Sequence, residues 1–268
     1  MVELADDLQP ITGSYAAADC QFLLTPLAPD YVSVADKERL IQSGQKHYSE
    51  LISFEHPPSP AYLALFAQLS AKYRRRLAQE VLALAHYLVA CLPQPLTVVS
   101  LARAGTPIGA LLQRALTQVL GAESAHFSLS IIRDRGIDAV ALAYLLRRLR
   151  RPAAGLLFLD AWTAKGVITD TLRTAIAQWN VTEPEQLDPR LYVIADVGGV
   201  ADIAATVEDY ALPSGILNAT VSGLVSRSIL NPRILPGQFH GCVVYDHLQA
   251  WDQSAAFLDA VSAEFTQP

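Results

Sequence analysis

The chain is poor in the residues that build crosslinked or metal-held folds. Its three cysteines, Cys20, Cys91 and Cys242, lie far apart, are odd in number and form no CxxC pair. That argues against a disulfide framework or a protein-held metal site, and for a reducing compartment. No apolar run approaches the roughly 18 residues of a membrane span. The acidic, polar start MVELADDLQP lacks the basic-then-apolar pattern of a secretory signal. Cations are outnumbered, 20 Lys and Arg against 26 Asp and Glu, which disfavours a general nucleic-acid binder. A phosphate loop of the G-x-x-x-x-G-K-[ST] type is also missing. These absences lead us to expect a cytoplasmic protein with neither membrane nor nucleic acid as partner.

With 51% hydrophobic and 17% charged residues in 268, the chain can bury a sizeable core, as one large α/β domain or a domain plus an appendage. Short apolar runs at 96–101 (LTVVSL), 127–132 (FSLSII), 156–159 (LLFL) and 191–195 (LYVIA) read as buried strands, with a further strand in 237–246. Helical spacing is seen at 61–91, 108–120, 138–151, 169–179 and 255–265. Residues 1–36 read as irregular apart from a strand-like 22–24, and 36–51 as an exposed helix interrupted at Ser43 and Gly44. That helix concentrates Lys37, Arg39, Lys46, His47, Tyr48 and Ser49, either as a solvated face or as a lid reaching an anionic ligand. Alternation of strands and helices predicts a mainly parallel sheet covered on both faces. We expect an α/β core over 91–268 and an N-terminal appendage or hood over 1–90.

In such sheets ligands bind at the carboxyl ends of the strands. The stretch GLLFLDAWTAKGVITDTLR ends a buried strand at Asp160 and continues through Thr163, Ala164, Lys165, Gly166 and Val167 into a helix. A hydroxyl, an ammonium and backbone N–H groups at a helix N-terminus make an anion cradle; an ordinary strand–turn–helix with Asp160 as a cap remains the alternative. LARAGTPIGALL offers a second cradle at Arg103, Gly105 and Thr106. Arg133 and Arg135 flank Asp134 ahead of Gly136, as a mobile basic loop or a salt-bridged turn. Asp196 precedes Gly198 and Gly199, and the hydroxyl-rich 222–228 carries Ser222 and Arg227. Two anion cradles, several arginines and few carboxylates suit a ligand with a phosphate at one end and a pyrophosphate at the other.

On these residues the chain resembles type I phosphoribosyltransferases. LLFLDAWTAKGVIT is similar to their 5′-phosphate loop, LARAGTPIGALL to their pyrophosphate loop, and SIIRDRGID to their flexible basic loop. GSYAAADCQFLL, KERLIQSGQKHYSE and FHGCVVYDHL, taken with those motifs, resemble a bacterial family across nearly the whole chain. It is the predicted phosphoribosyltransferase family of tellurium-resistance and stress gene clusters, also called cysteine protease StiP. The resemblance implies a type I phosphoribosyltransferase-like fold and transfer of phosphoribose from phosphoribosyl pyrophosphate, with Mg²⁺, to an acceptor in the synthesis of a nucleoside-like metabolite. It implies Asp160, Arg133 and Arg135 as catalytic residues. Arg103, Gly105 and Thr106 would hold pyrophosphate, and Thr163, Ala164, Lys165, Gly166 and Val167 the 5′-phosphate. Asp196, Ser222 and Arg227 would contribute to acceptor recognition. The family pattern has two adjacent acids, whereas Ala161 follows Asp160 here, so the ribose hydroxyls would meet one carboxylate.

Two other classes stay open on the sequence. A non-catalytic regulator could sense a phosphoribosyl compound or nucleotide at the same crest. A cysteine hydrolase could use Cys242 with His240, two residues apart and on one face of a strand. A homodimer is compatible with either.

Overall fold

The computed structural model describes residues 1–266. Its centre is strand β3 (Leu96–Ala102), whose side chains are buried on both faces, as the unbroken apolar run predicts. The remaining strands are β1 (Gln21–Leu23), β2 (Thr25–Pro26), β4 (Ser124–Ile132), β5 (Gly136–Ile137), β6 (Leu156–Trp162), β7 (Leu191–Ala195), β8 (Ile203–Thr206) and β9 (Gly241–Cys242). The main sheet runs β1-β4-β3-β6-β7-β8 with all neighbours parallel. Strand β5 folds back antiparallel on β4 through the turn at Asp134. Strands β2 and β9 form a separate parallel pair.

The helices are α1 (Val34–Gln42), α2 (Pro60–Cys91), α3 (Gly105–Arg114), α4 (Ala139–Ala143), α5 (Val167–Thr182) and α6 (Ser254–Ser262). Strand alternation sorts them onto the two faces. Val98 of β3 and Leu157, Leu159 and Ala161 of β6 point into one core with α2, α3 and α6. Val99 and Leu101 of β3 and Leu156 and Phe158 of β6 point into the other, with α4 and α5. A mainly parallel α/β sheet with helices on both faces is therefore what the chain builds. No helix among the described residues is long and apolar enough to cross a membrane.

Helix α2 starts where Ser59 accepts from the Tyr62 N–H and Pro60 occupies the first turn. The sequence-based elements and the structure differ in detail at several elements. The helix expected over 36–51 is interrupted at Ser43 and Gly44 as anticipated, Gly44 having φ +69, but resumes only as a 3-10 turn at Tyr48–Glu50. The helices expected at 108–120 and 138–151 finish as π-helical stretches, Ala115–Val119 and Tyr144–Arg148. The strand expected in 237–246 shrinks to Gly241–Cys242. Strand β8, short and only half-buried, was not anticipated. The division at residue 90 has no counterpart in the packing. Strand β1 pairs with β4 inside the main sheet, and α2 contributes Leu77, Val81, Leu84 and Leu88 to the core.

Candidate functional site

The carboxyl ends of β4, β3 and β6 lie side by side, in that order, and the three motif loops leave from them. Asp160 is the acid at this crest. It sits two residues before the end of β6, and its Oδ1 accepts the Ala161 N–H at 2.8 Å. Burial, only partly opposed by that hydrogen bond, pushes its carboxyl up to about 7. Ala161, in contrast, points into the apolar core under α3 and is fully buried.

The start of α3 is pressed against this acid. A Cβ on Gly105 would lie 2.7 Å from the Leu159 carbonyl and 3.3 Å from Asp160 Oδ1. Only glycine lets the two loops meet this closely. Thr106 is buried, its hydroxyl is hydrogen-bonded to Ser128 Oγ at 2.7 Å and its N–H donates to the Arg103 carbonyl at 3.1 Å, so it secures α3 to β4 and closes the turn before it. Helix α3 opens without a side-chain cap. Arg103, after a cis Ala102–Arg103 peptide, reaches Glu55 Oε2 at 3.0 Å and lies 3.5 Å from the Val225 carbonyl.

The β6–α5 turn divides into a buried anchor and an exposed cradle. Thr163 donates from Oγ1 to Asp196 Oδ1 and accepts the Gly198 N–H at 3.0 Å. Asp196 Oδ1 also accepts from the Val200 and Ala201 N–H groups at 3.0 and 3.2 Å. Burial raises the Asp196 carboxyl, but these donors together hold it below its ordinary value. Thr163 and Asp196 thus lock the turn to the next loop. Ala164 and Lys165 are exposed, and Lys165 makes no ion pair among the described residues. Gly166 has φ +82 and starts α5 without a side-chain cap, leaving the first N–H groups, with Val167 beside them, open to an anion.

The basic loop meets a segment that the sequence left as lid or solvated face. The Tyr48 hydroxyl accepts the Arg133 N–H at 2.8 Å, and the Arg133 and Arg227 guanidinium carbons lie 5.5 and 5.9 Å from the Tyr48 ring centre. Glu50 binds Arg135 at 3.1 Å and Lys46 at 3.0 Å. Glu55 is held by Arg103, by the Ala219 N–H at 2.9 Å, and through its carbonyl by His247 Nε2 at 2.8 Å. Ser222 is buried within the turn at 219–225. Sequence reasoning missed Glu50 and Glu55 as partners of the basic residues, and also Trp162, which is 38% exposed. Trp162 edges a cavity of about 190 Å³ with Ala195, Tyr210, Leu212 and Ile216. The spacing of Trp162 from Asp160 was a usable signal; the glutamates, some 50 to 85 residues from their arginines, left none.

The thiols are placed otherwise. Cys242 is completely buried in the core, and burial pushes it up to about 12. Its neighbour His240 directs Nδ1 to Ser130 Oγ at 2.7 Å, and its N–H donates to Asp138 Oδ2. The two do not form a nucleophile–base pair. Cys20 is likewise buried and raised by burial, while Cys91 is exposed at the end of α2. Among the described residues no group of three or more His, Cys, Asp or Glu side chains is placed to hold a metal ion.

Comparison with known proteins adds the family. A protein of Acinetobacter baylyi named cysteine protease StiP is 41% identical over 263 residues, covering 95% of this chain and 67% of that protein. Among solved structures, a hypoxanthine phosphoribosyltransferase of Trypanosoma cruzi is 16% identical over 52% of this chain and 78% of its own, with a TM-score of 0.37. A hypothetical protein of Neisseria gonorrhoeae with bound ppGpp is 14% identical over 50% and 80%, with a TM-score of 0.33. Likeness at those scores fixes neither activity nor ligand. The model of the family described as tellurite-like stress resistance cysteine protease StiP matches residues 13–262, and the chain belongs to that family.

Proposed function

We propose that the chain binds phosphoribosyl pyrophosphate at the crest and transfers its phosphoribosyl group to an acceptor, in a stress-linked synthesis of a nucleoside-like metabolite. One observation carries this reading: Asp160 stands between two uncapped helix N-termini, those of α3 and α5, at the ends of adjacent parallel strands. Two anion sites with one carboxylate between them match a sugar carrying a phosphate at one end and a pyrophosphate at the other.

In this reading the N–H groups at the start of α5, with Lys165 and Gly166, hold the 5′-phosphate. The start of α3 and Arg103 hold the pyrophosphate. Asp160 accepts a hydrogen bond from a ribose hydroxyl. The bond between the sugar C1 and the pyrophosphate oxygen breaks with its electron pair leaving on pyrophosphate, and a lone pair of the acceptor forms the new bond to C1. The protein supplies position and positive charge where the leaving group gains negative charge, so the crest needs no nucleophile of its own.

Mg²⁺ fits this donor set as an ion carried by the substrate. Glu55 and Asp196 are already committed, whereas Asp160 beside the start of α3 accepts only the Ala161 N–H, and one carboxylate plus substrate phosphates is a common way to hold this ion. Bound there, Mg²⁺ would neutralise charge on the pyrophosphate.

Nothing in the placement of the three cysteines favours peptide hydrolysis. A thiol at about 12 is thiolate in roughly one molecule in 10⁵ at neutral pH.

The test is calorimetric titration of phosphoribosyl pyrophosphate, with and without Mg²⁺, on the wild type and Lys165→Ala. The expected result is micromolar, Mg²⁺-enhanced binding that weakens about tenfold in the variant, one charge-assisted phosphate contact. No binding at millimolar ligand overturns the proposal. Binding without pyrophosphate release for any acceptor would make the protein a sensor.

A further inference from the structure

The crest arginines fall into two classes. Arg103 and Arg135 are neutralised by Glu55 and Glu50. Arg133 and Arg227 have no ion pair, and their guanidinium groups make no hydrogen bond among the described residues, although both lie against the same ring, that of Tyr48. Arg227 is only partly exposed, and burial pulls its pKa below the ordinary value. The hydroxyl of the next residue, Ser228, is buried with no hydrogen-bond partner.

Both cations lie against one ring with no counter-ion among the described residues, Arg133 exposed and Arg227 half-buried, so Arg227 has given up part of its hydration with no anion in its place. A cation–π contact offsets only part of that loss, and an anion bonded to the guanidinium groups offsets more. The arrangement is held in place from several sides. The Tyr48 hydroxyl is bound by the Arg133 N–H, the Ser49 carbonyl accepts the Leu230 N–H at 2.9 Å, and the His47 and Tyr48 rings pack at 4.4 Å.

Its place along the sheet separates it from the phosphoribosyl site. Arg133 leaves the end of β4, whereas the 5′-phosphate cradle leaves β6 and the pyrophosphate loop leaves β3 between them. The strand ends from which Arg133 and the 5′-phosphate cradle leave are two strand spacings apart, roughly 10 Å. The arrangement remains joined to the pyrophosphate side, because Arg227 is two residues from Val225, whose carbonyl lies beside Arg103.

We infer that Tyr48, Arg133 and Arg227 form a second oxyanion subsite for a ligand bearing a carboxylate or phosphate. Assigning that ligand as the acceptor rests on the transferase reading; the subsite itself does not. Guanidinium forks take either group bidentately, and the Tyr48 ring supplies an apolar wall for a planar body.

The experiment titrates the full chain with benzoate and, separately, inorganic phosphate, each with and without saturating phosphoribosyl pyrophosphate and Mg²⁺. Proteins are the wild type, Arg227→Gln, Arg133→Gln and Lys165→Ala, with folding checked by circular dichroism. At least one probe should bind the wild type with phosphoribosyl pyrophosphate present, benzoate marking a carboxylate ligand and phosphate a phosphorylated one. Arg227→Gln and Arg133→Gln should each weaken that probe about tenfold; Arg227→Gln should weaken phosphoribosyl pyrophosphate less than about threefold, with the reverse pattern in Lys165→Ala. Equal weakening of both ligands by Arg227→Gln would mean a single site and overturn the inference, as would no probe binding at about 10 mM. If phosphoribosyl pyrophosphate itself never binds but a probe does, and the arginine variants abolish that probe, the transferase reading falls and the subsite stands.

Discussion

Asp160→Asn should make the protein more stable and less able to bind its ligand. The substitution keeps the shape and the oxygen that accepts the Ala161 N–H while removing the charge. Burial moves the carboxyl from 3.8 to about 7, so the folded state holds the proton more tightly than the unfolded chain does. The stabilisation by that proton is complete below the unfolded value and is lost as pH rises through about 7. Three units at about 1.4 kcal/mol each give roughly 4 kcal/mol as a ceiling on the cost of ionised Asp160 in the folded state. Partial contact with water at the crest lowers the real figure. Urea unfolding of both proteins near pH 4 and pH 8 tests this. Asp160→Asn should match the wild type near pH 4 and exceed it at pH 8 by several kcal/mol, up to that ceiling, which is a few degrees in Tm per kcal/mol for a domain this size. Mg²⁺-dependent binding of phosphoribosyl pyrophosphate should strengthen in the wild type between pH 6 and 8 and be weak in the variant throughout. A variant no more stable than the wild type at pH 8, or a difference that does not change with pH, would refute the reasoning.

Glu55→Gln keeps an acceptor for the Ala219 N–H but releases Arg103; pyrophosphate affinity by calorimetry should rise about three- to tenfold, the worth of one partly exposed ion pair, and an unchanged or lower affinity refutes the pairing as a competitor of the ligand. Iodoacetamide on the native protein, read by mass spectrometry, should label Cys91 and spare Cys20 and Cys242; rapid labelling of Cys242 would show a reactive thiol where the structure has a buried one. Ala161→Asp should destabilise by several kcal/mol in urea unfolding, because it places a carboxylate in the fully buried apolar core under α3; a variant as stable as the wild type with tighter ligand binding would show that the position faces the crest.

The parallel sheet was legible because its central strands advertise themselves. LTVVSL and LLFL are buried on both faces, and nothing but a strand covered by helices on each side satisfies so short and continuous an apolar run. Strand β8, IAAT, carries no such signal, since it is an edge strand with every residue half-buried. The first 90 residues read as an appendage or hood for a related reason. Three residues of β1, Gln21–Leu23, are enough to join the sheet beside β4, and no local pattern tells an appendage strand from a core one.

At the crest, the sequence displayed the groups but not their partners. Thr163 and Asp196 look like ligand residues because they are polar and end strands, yet their bond is to each other across 33 positions. Their contribution is rigidity: they fix the turn from which Lys165 and Gly166 project. Arg103 and Arg135 also read as free cations until Glu55 and Glu50 come from 48 and 85 residues away. Such pairing is set by the tertiary fold, so composition could count the crest arginines without telling the occupied from the open. The missing second acid follows the same logic. Adjacent residues on a strand face opposite sides, and here the side opposite Asp160 is closed by the apolar core under α3. The protein therefore has one carboxylate rather than two at the end of β6, with a pKa raised by burial, and leaves Arg133, Arg227 and Lys165 as cations without an ion pair among the described residues.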